Sequence, residues 1–246
     1  MSCAAIQIAT ANPTNIWICA ILDKKRSNQT SCAFIVNEPG LIMILNIRFG
    51  NIIDINLPII HEINTSVGKT TLLRRVCELY LQQSHHLPCY GFYTEEVRDN
   101  NGSRIGFDII TLDGNSRASL ARINEYTTSQ SSSLPRVGQY NVFVNEFERI
   151  ALSLFTNLQT PCICFIDEIG KMELLSNRFK ELIETLIQRR NLILIATIPI
   201  KPLGFVDRIR TRSDCRLLTV TRDNRSGPAL RNELMEHIEE LTKNIL

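Results

Sequence analysis

The stretch Ile63-Asn64-Thr65-Ser66-Val67-Gly68-Lys69-Thr70-Thr71 limits what this chain can fold into more than any other. Gly68, Lys69 and two hydroxyls run straight into the apolar pair Leu72-Leu73, as a phosphate-binding loop runs into the helix it starts. A loop of that kind turns backbone N–H groups and the positive end of a helix dipole toward an anion. By the pattern, Ser66, Val67, Gly68, Lys69, Thr70 and Thr71 wrap phosphate. Lys69 reaches the β and γ phosphates, and the Thr70 hydroxyl ligates Mg²⁺. The full pattern G-x-x-x-x-G-K-[ST] also asks for a glycine where Ile63 stands. Without a ligand, the same residues read as a helix N-terminus with a capping threonine.

A second stretch answers the first. Cys162-Ile163-Cys164-Phe165-Ile166 is wholly apolar and ends in Asp167-Glu168, as a buried parallel strand ends when it delivers acids to the carboxyl edge of a sheet. Asp167 is then placed for the Mg²⁺ shell, largely through water, and Glu168 to polarise an attacking water as a general base. Taken alone, such a pair is more often a loop acid or a helix N-cap. Together with Gly68 to Thr71, about 100 residues earlier, it points to a nucleotide site on an α/β domain.

The chain between and beyond these stretches alternates strands with helices. Thr70 to Gln83 has apolar residues at helical spacing. Gly91 to Val97 and Arg104 to Leu112 read as strands joined through Asp99-Asn100-Asn101-Gly102, which is β-hairpin chemistry. Tyr126 to Pro135 reads as a surface loop, Tyr140 to Val144 as a strand and Asn145 to Phe155 as a helix. Helices over Leu174 to Arg190 and Pro228 to Lys243 flank strands over Leu192 to Ile198 and Arg216 to Thr221. The fold class is α/β, a mainly parallel sheet flanked by helices with an inserted β-hairpin.

Residues 1–56 have a different texture. Up to residue 60 the chain carries seven charged side chains: Asp23, Lys24, Lys25, Arg26, Glu38, Arg48 and Asp54. Short strands fit Phe34 to Val36 and Leu41 to Ile47, and Ile55 to Ile60 stands where a strand should enter the phosphate loop. The expected organisation is an N-terminal appendage over 1–56 and a nucleotide-binding domain over 57–246. The net charge of +2, with no long Lys/Arg block, argues against a dedicated nucleic-acid surface. No apolar run approaches a membrane span, no secretory signal is evident, and eight scattered cysteines match no zinc framework. The expected location is the cytoplasm, with the nucleus as the alternative.

Several blocks resemble one family. Gly91-Phe92-Tyr93-Thr94-Glu95-Glu96-Val97-Arg98, Arg104-Ile105-Gly106-Phe107-Asp108, Val137-Gly138-Gln139-Tyr140, Ile166 to Leu174 and Thr197-Ile198-Pro199 closely resemble the cancer-related nucleoside-triphosphatases. Val220-Thr221 followed by Asn224-Arg225 matches as well. The resemblance spans about residues 67–240 and implies a small P-loop NTPase with a RecA/AAA-like fold. It implies Mg²⁺-dependent hydrolysis of ATP, GTP and other nucleoside triphosphates, slow and with little base selectivity. It places Lys69 and Thr70 on phosphate and Mg²⁺, Asp167 in the metal shell and Glu168 as base. Members carry a glycine-rich loop G-P-P-G-V-G-K-T-T, whereas this chain has Ile63 and Ser66 in place of two glycines.

That departure keeps a second reading open, a nucleotide-binding chain with weak or no turnover. A nucleotide kinase is a third reading, disfavoured because Asp167-Glu168 supplies a water-activating acid and no arginine-rich lid is evident. Around the site, Glu95 or Glu96, Arg98 or Arg104, Lys171 and Thr197 are each open between a site role and a structural one. His85-His86 fit a helix end better than a metal.

Overall fold

The apolar run that ends in Asp167 lies inside the sheet, and all six residues of Cys162–Asp167 are buried. Helices on both faces leave such a strand no side for polar groups. The computed structural model of the chain describes residues 17–20, 32–35 and 40–46 by their backbone, and residues 68–126, 134–221 and 223–245. In chain order the elements are β1 (Trp17–Ala20), β2 (Cys32–Ile35), β3 (Gly40–Asn46), α1 (Lys69–Leu81), β4 (Cys89–Arg98), β5 (Arg104–Thr111), β6 (Arg117–Ile123), β7 (Arg136–Val137) and β8 (Tyr140–Val142). Then come α2 (Val144–Ala151), β9 (Cys162–Asp167), α3 (Asn177–Gln188), β10 (Leu192–Ile198), α4 (Gly204–Arg210), β11 (Cys215–Val220) and α5 (Pro228–Ile245).

A nine-stranded sheet has the order β11-β3-β10-β9-β4-β5-β6-β8-β7, and β1 pairs with β2 apart from it. β4, β9 and β10 are parallel neighbours. β11 runs the same way, because β3 is antiparallel to both β10 and β11. The parallel core expected from the sequence is therefore present, with one reversed strand in it. The hairpin β4–β5 continues into an antiparallel extension through β6, β8 and β7.

The reversed strand matters for the loop. β3 begins beside the carboxyl end of β10, with Leu41 opposite Ile198, and ends at the amino edge, with Asn46 opposite Ile193. Gly68, at the head of α1, is reached only across residues 47–67. So β3 does not feed directly into the loop. The strand expected over Ile55 to Ile60 lies outside the described residues, as do residues 127–133 of the expected surface loop.

Two apolar layers hold the sheet. On one face α1 contributes Leu72, Leu73, Val76, Cys77 and Tyr80, spaced as one stripe of a helix, and α5 contributes Leu230, Leu234, Ile238 and Leu241. They pack on Ile163, Phe165, Ile193 and Ile195. On the other face Phe92, Phe147 and Phe179 meet as a trio, with ring centroids 5.0 to 6.1 Å apart. Each fully buried ring or Leu contributes about 1.5–3 kcal/mol. Gly91 makes β4 possible beside β9, since a Cβ there would lie 1.8 Å from the Phe165 carbonyl oxygen. α2 is shorter than expected from the sequence, with Ser153–Phe155 as a separate 3-10 turn, and β6 and α4 were not anticipated.

Candidate active site

The carboxyl edge of the parallel strands brings the two sequence motifs together. Asp167 ends β9 and is 1% exposed. Its Oδ2 accepts from Thr70 Oγ1 at 2.6 Å, from Thr94 N–H at 3.1 Å and from Thr94 Oγ1 at 3.0 Å. Its Oδ1 accepts from Thr197 Oγ1 at 2.9 Å. Four donors from α1, β4 and β10 thus hold one buried carboxylate, which would otherwise be costly to remove from water.

Gly68 precedes α1 with φ 84, a left-handed conformation that glycine adopts without strain. The first intrahelical bond is Leu72 N–H to Gly68 O at 3.0 Å. The N–H groups of Lys69, Thr70 and Thr71 therefore have no partner within the helix, as suits an anion site. Lys69 Nζ donates to Ile198 O at 3.1 Å, which keeps the ammonium over the ends of α1 and β10. Ser66, Val67 and the Ile63 position lie outside the described residues.

Glu168 leaves the strand with φ 137, a conformation that side-chain-bearing residues rarely adopt and that costs about 1–3 kcal/mol. Ile169 N–H to Thr197 O at 2.9 Å and Gly170 N–H to Glu173 Oε2 at 3.1 Å fix the backbone after it. Its carboxylate accepts no hydrogen bond among the described residues and is half-buried beside Asp167. A strained, unpaired acid next to a fully bonded one is an arrangement suited to taking a proton from water.

Glu173 is a site neighbour that sequence reasoning missed. It is buried, and its Oε2 lies 2.9 Å from the place where Gly170 would carry a Cβ, with Glu168 Oε1 2.7 Å from the same point. Burial, then the charges of Glu168 and Asp167, pushes the Glu173 carboxyl well above the usual carboxylate range. The folded chain therefore keeps this proton at a pH where the unfolded chain has lost it. Stability from this group is present below the unfolded value and falls as pH rises toward the folded one. Urea unfolding from about pH 4 to pH 8 is expected to show wild type losing stability relative to Glu173→Gln, which stays neutral. Parallel profiles would remove this assignment.

The remaining candidates separate clearly. Thr197 is fully buried and its hydroxyl orients Asp167. Glu95 pairs with Arg117 at 2.7 Å and lies 3.9 Å from Arg74, while Glu96 pairs with Arg104 at 2.7 Å and with Arg98. Both glutamates are thus engaged on the antiparallel extension, and Thr94 is the β4 residue that reaches the site. Lys171 is exposed, and His85 and His86 follow the opposite end of α1. Cys77 and Cys89 are free thiols that burial pushes up to about 12. Among the described residues no group of three His, Cys, Asp or Glu is placed to hold a metal. A metal here would rest on the Asp167 carboxylate and the Thr70 hydroxyl. That small oxygen set suits Mg²⁺, which keeps most of its waters.

A helix start with free N–H groups and a lysine, facing a strand-end acid pair, defines a P-loop nucleotide-binding protein. The chain matches the family described as NTPase over residues 64–238. It is 43% identical over 174 residues to the cancer-related nucleoside-triphosphatase homolog of Mus musculus, covering 65% of this chain and 86% of that protein. It is 40% identical over 170 residues to nucleoside-triphosphatase THEP1 of Thermotoga sp. (strain RQ2), covering 69% and 88%. The solution structure of a human cancer-related nucleoside triphosphatase superposes with a TM-score of 0.61 at 37% identity, covering 72% of this chain and 94% of that one. The crystal structure of THEP1 from Aquifex aeolicus gives 0.59 at 31% identity, covering 71% and 95%. The chain belongs to this nucleoside-triphosphatase family. Among the described residues no helix is long and apolar enough to cross a membrane.

Proposed function

We propose that this chain is a Mg²⁺-dependent nucleoside-triphosphatase that hydrolyses ATP, GTP and other nucleoside triphosphates to the diphosphate and phosphate with low base selectivity. The observation that carries the reading is Asp167, buried and held by Thr70, Thr94 and Thr197, with the unpaired Glu168 beside it. When bound, Mg²⁺ would be held by Thr70 and Asp167 and would neutralise charge on the β and γ phosphates. Gly68, Lys69, Thr70 and Thr71, with Ser66 and Val67 before them, wrap the phosphates through backbone N–H groups. Lys69 exchanges the Ile198 carbonyl for phosphate oxygens, a stronger charge-assisted contact. Glu168 takes the proton of the water that attacks the γ phosphate in line. Thr94 and Thr197 keep the Asp167 carboxylate aimed at the metal.

The catalytic domain in this reading is residues 57–246, with β3 from the preceding stretch filling a place in its sheet. The five free thiols among the described residues fit a reducing compartment, the cytoplasm.

Ile63 and Ser66 favour a second reading, in which the loop binds nucleotide but turns it over weakly. A side chain forced to positive φ costs about 1–2 kcal/mol at each position. Both positions together therefore amount to roughly a hundredfold in affinity, at about 1.4 kcal/mol per decade. The Ile63→Gly/Ser66→Gly double variant is expected to raise Mg²⁺-dependent phosphate release from ATP and GTP. No gain over wild type would remove the damaged loop as a limit on this chain.

A further inference from the structure

The turn after β11 sets a cation against the phosphate loop that no step above uses. Thr221 N–H donates to Asn224 Oδ1 at 2.7 Å, and Asn224 Nδ2–H donates to Thr219 O at 2.9 Å. Asn224 N–H donates to Thr221 Oγ1 at 3.2 Å, and Arg225 N–H to Thr221 O at 3.1 Å. The turn is thus locked by Asn224 and Thr221 and does not depend on the Arg225 side chain. That side chain runs along Gly68: a Cβ on the glycine would lie 3.4 Å from Arg225 Cδ and 3.8 Å from Arg225 Cβ. Arg225 is exposed, and its guanidinium has no hydrogen-bond or ion-pair partner among the described residues. Its stem is placed while its head is unpaired, so it adds little to the fold.

Position decides what the head would meet. β9, which carries Asp167 and leads to Glu168, is separated from β11 by β10 and β3. Three strand spacings make roughly 14 Å between the acids and the turn. The acids mark the reacting γ phosphate, so the turn lies toward the opposite end of the substrate, where the sugar and base are. A guanidinium is planar and weakly hydrated, and it stacks on aromatic faces. Every base offers such a face, so stacking gives affinity without choosing among bases. The Asn224 amide of the same turn already bonds through its oxygen to Thr221 N–H and through its nitrogen to Thr219 O.

Building on the nucleotide site proposed above, we propose that Arg225 holds the base of the bound nucleotide by its face, which makes it the residue responsible for base-indifferent affinity. The test compares Mg²⁺-dependent binding of ATP, GTP and inorganic tripolyphosphate in a Glu168→Gln background, where turnover is suppressed. Arg225→Lys and Arg225→Met are each expected to lose about tenfold in affinity for ATP and GTP alike, with tripolyphosphate binding unchanged. Lys69→Ala is expected to weaken all three probes. If tripolyphosphate weakens as much as ATP, or if Arg225→Lys binds nucleotide as the parent does, the stacking role is wrong. Arg225 variants that match the parent while Lys69→Ala loses binding would overturn this inference alone. Lys69→Ala leaving every affinity unchanged would overturn the nucleotide site and this inference with it.

Discussion

Glu168→Gln is expected to lower Mg²⁺-dependent phosphate release by about 10²–10⁴-fold, the range for losing a positioned general base. Nucleotide affinity should change little, because the carboxylate is unpaired and the substitution keeps its shape. The protein should also become slightly more stable. Glu168 is one of the charges that raise the proton affinity of the buried Glu173, and it sits on a strained backbone at φ 137. Removing that charge relieves its repulsion with the neighbouring Asp167 carboxylate in a poorly solvated place. Less activity with more stability is the signature of a residue kept for chemistry. Phosphate release and thermal unfolding of the same preparation check both halves. Unchanged release would exclude Glu168 as the base.

Lys69→Ala is expected to behave differently. Losing a preorganised cation on the β and γ phosphates lowers the rate of release by about 10²–10³-fold. It also weakens binding, because the contact exists in the ground state as well as the transition state. In the fold, Lys69 contributes one hydrogen bond to Ile198 O, so the stability change should stay within about 1 kcal/mol. Titration with nucleotide beside a melting curve separates a binding loss from an unfolding one. Affinity equal to wild type would mean that the ammonium stays on the Ile198 carbonyl and never reaches phosphate.

The parts of this molecule that were legible in its sequence are those written locally. The spacing of Leu72, Leu73, Val76 and Tyr80 specifies the buried face of α1, and the run Cys162 to Ile166 specifies a strand covered on both sides. The turn Asp99 to Gly102 joins β4 to β5, with Gly102 N–H donating to Asp99 O at 3.0 Å. The acids at the end of β9 announce a sheet edge, and the meeting of Asp167 with Thr70 follows once the strand and helix are in place.

What stayed hidden depends on which strands become neighbours. Thr94 reaches Asp167 because β4 lies beside β9 with Phe92 opposite Ile166, a register that no local pattern encodes. Glu173 looks like a solvated acid in a short turn until the chain closes over it. Arg225 meets Gly68 through the placement of β11, far along the chain. β6 was missed because its extra residue Leu120, left without a partner between Ser119 opposite Asp108 and Ala121 opposite Phe107, breaks the alternation, and α4 is too short to show a helical period. The direction of a strand is equally silent, and β3, whose sequence reads as an ordinary apolar strand, runs against its neighbours.

The central claim is that Gly68 to Thr71 and Asp167-Glu168 form one working hydrolytic site despite Ile63 and Ser66. Phosphate release from ATP and GTP, with Mg²⁺ or with a chelator, in wild type beside Glu168→Gln, tests it most directly. The account predicts release from both nucleotides that requires Mg²⁺ and is lost in the variant. Release that persists with the chelator, or that is equal in Glu168→Gln and wild type, would contradict it.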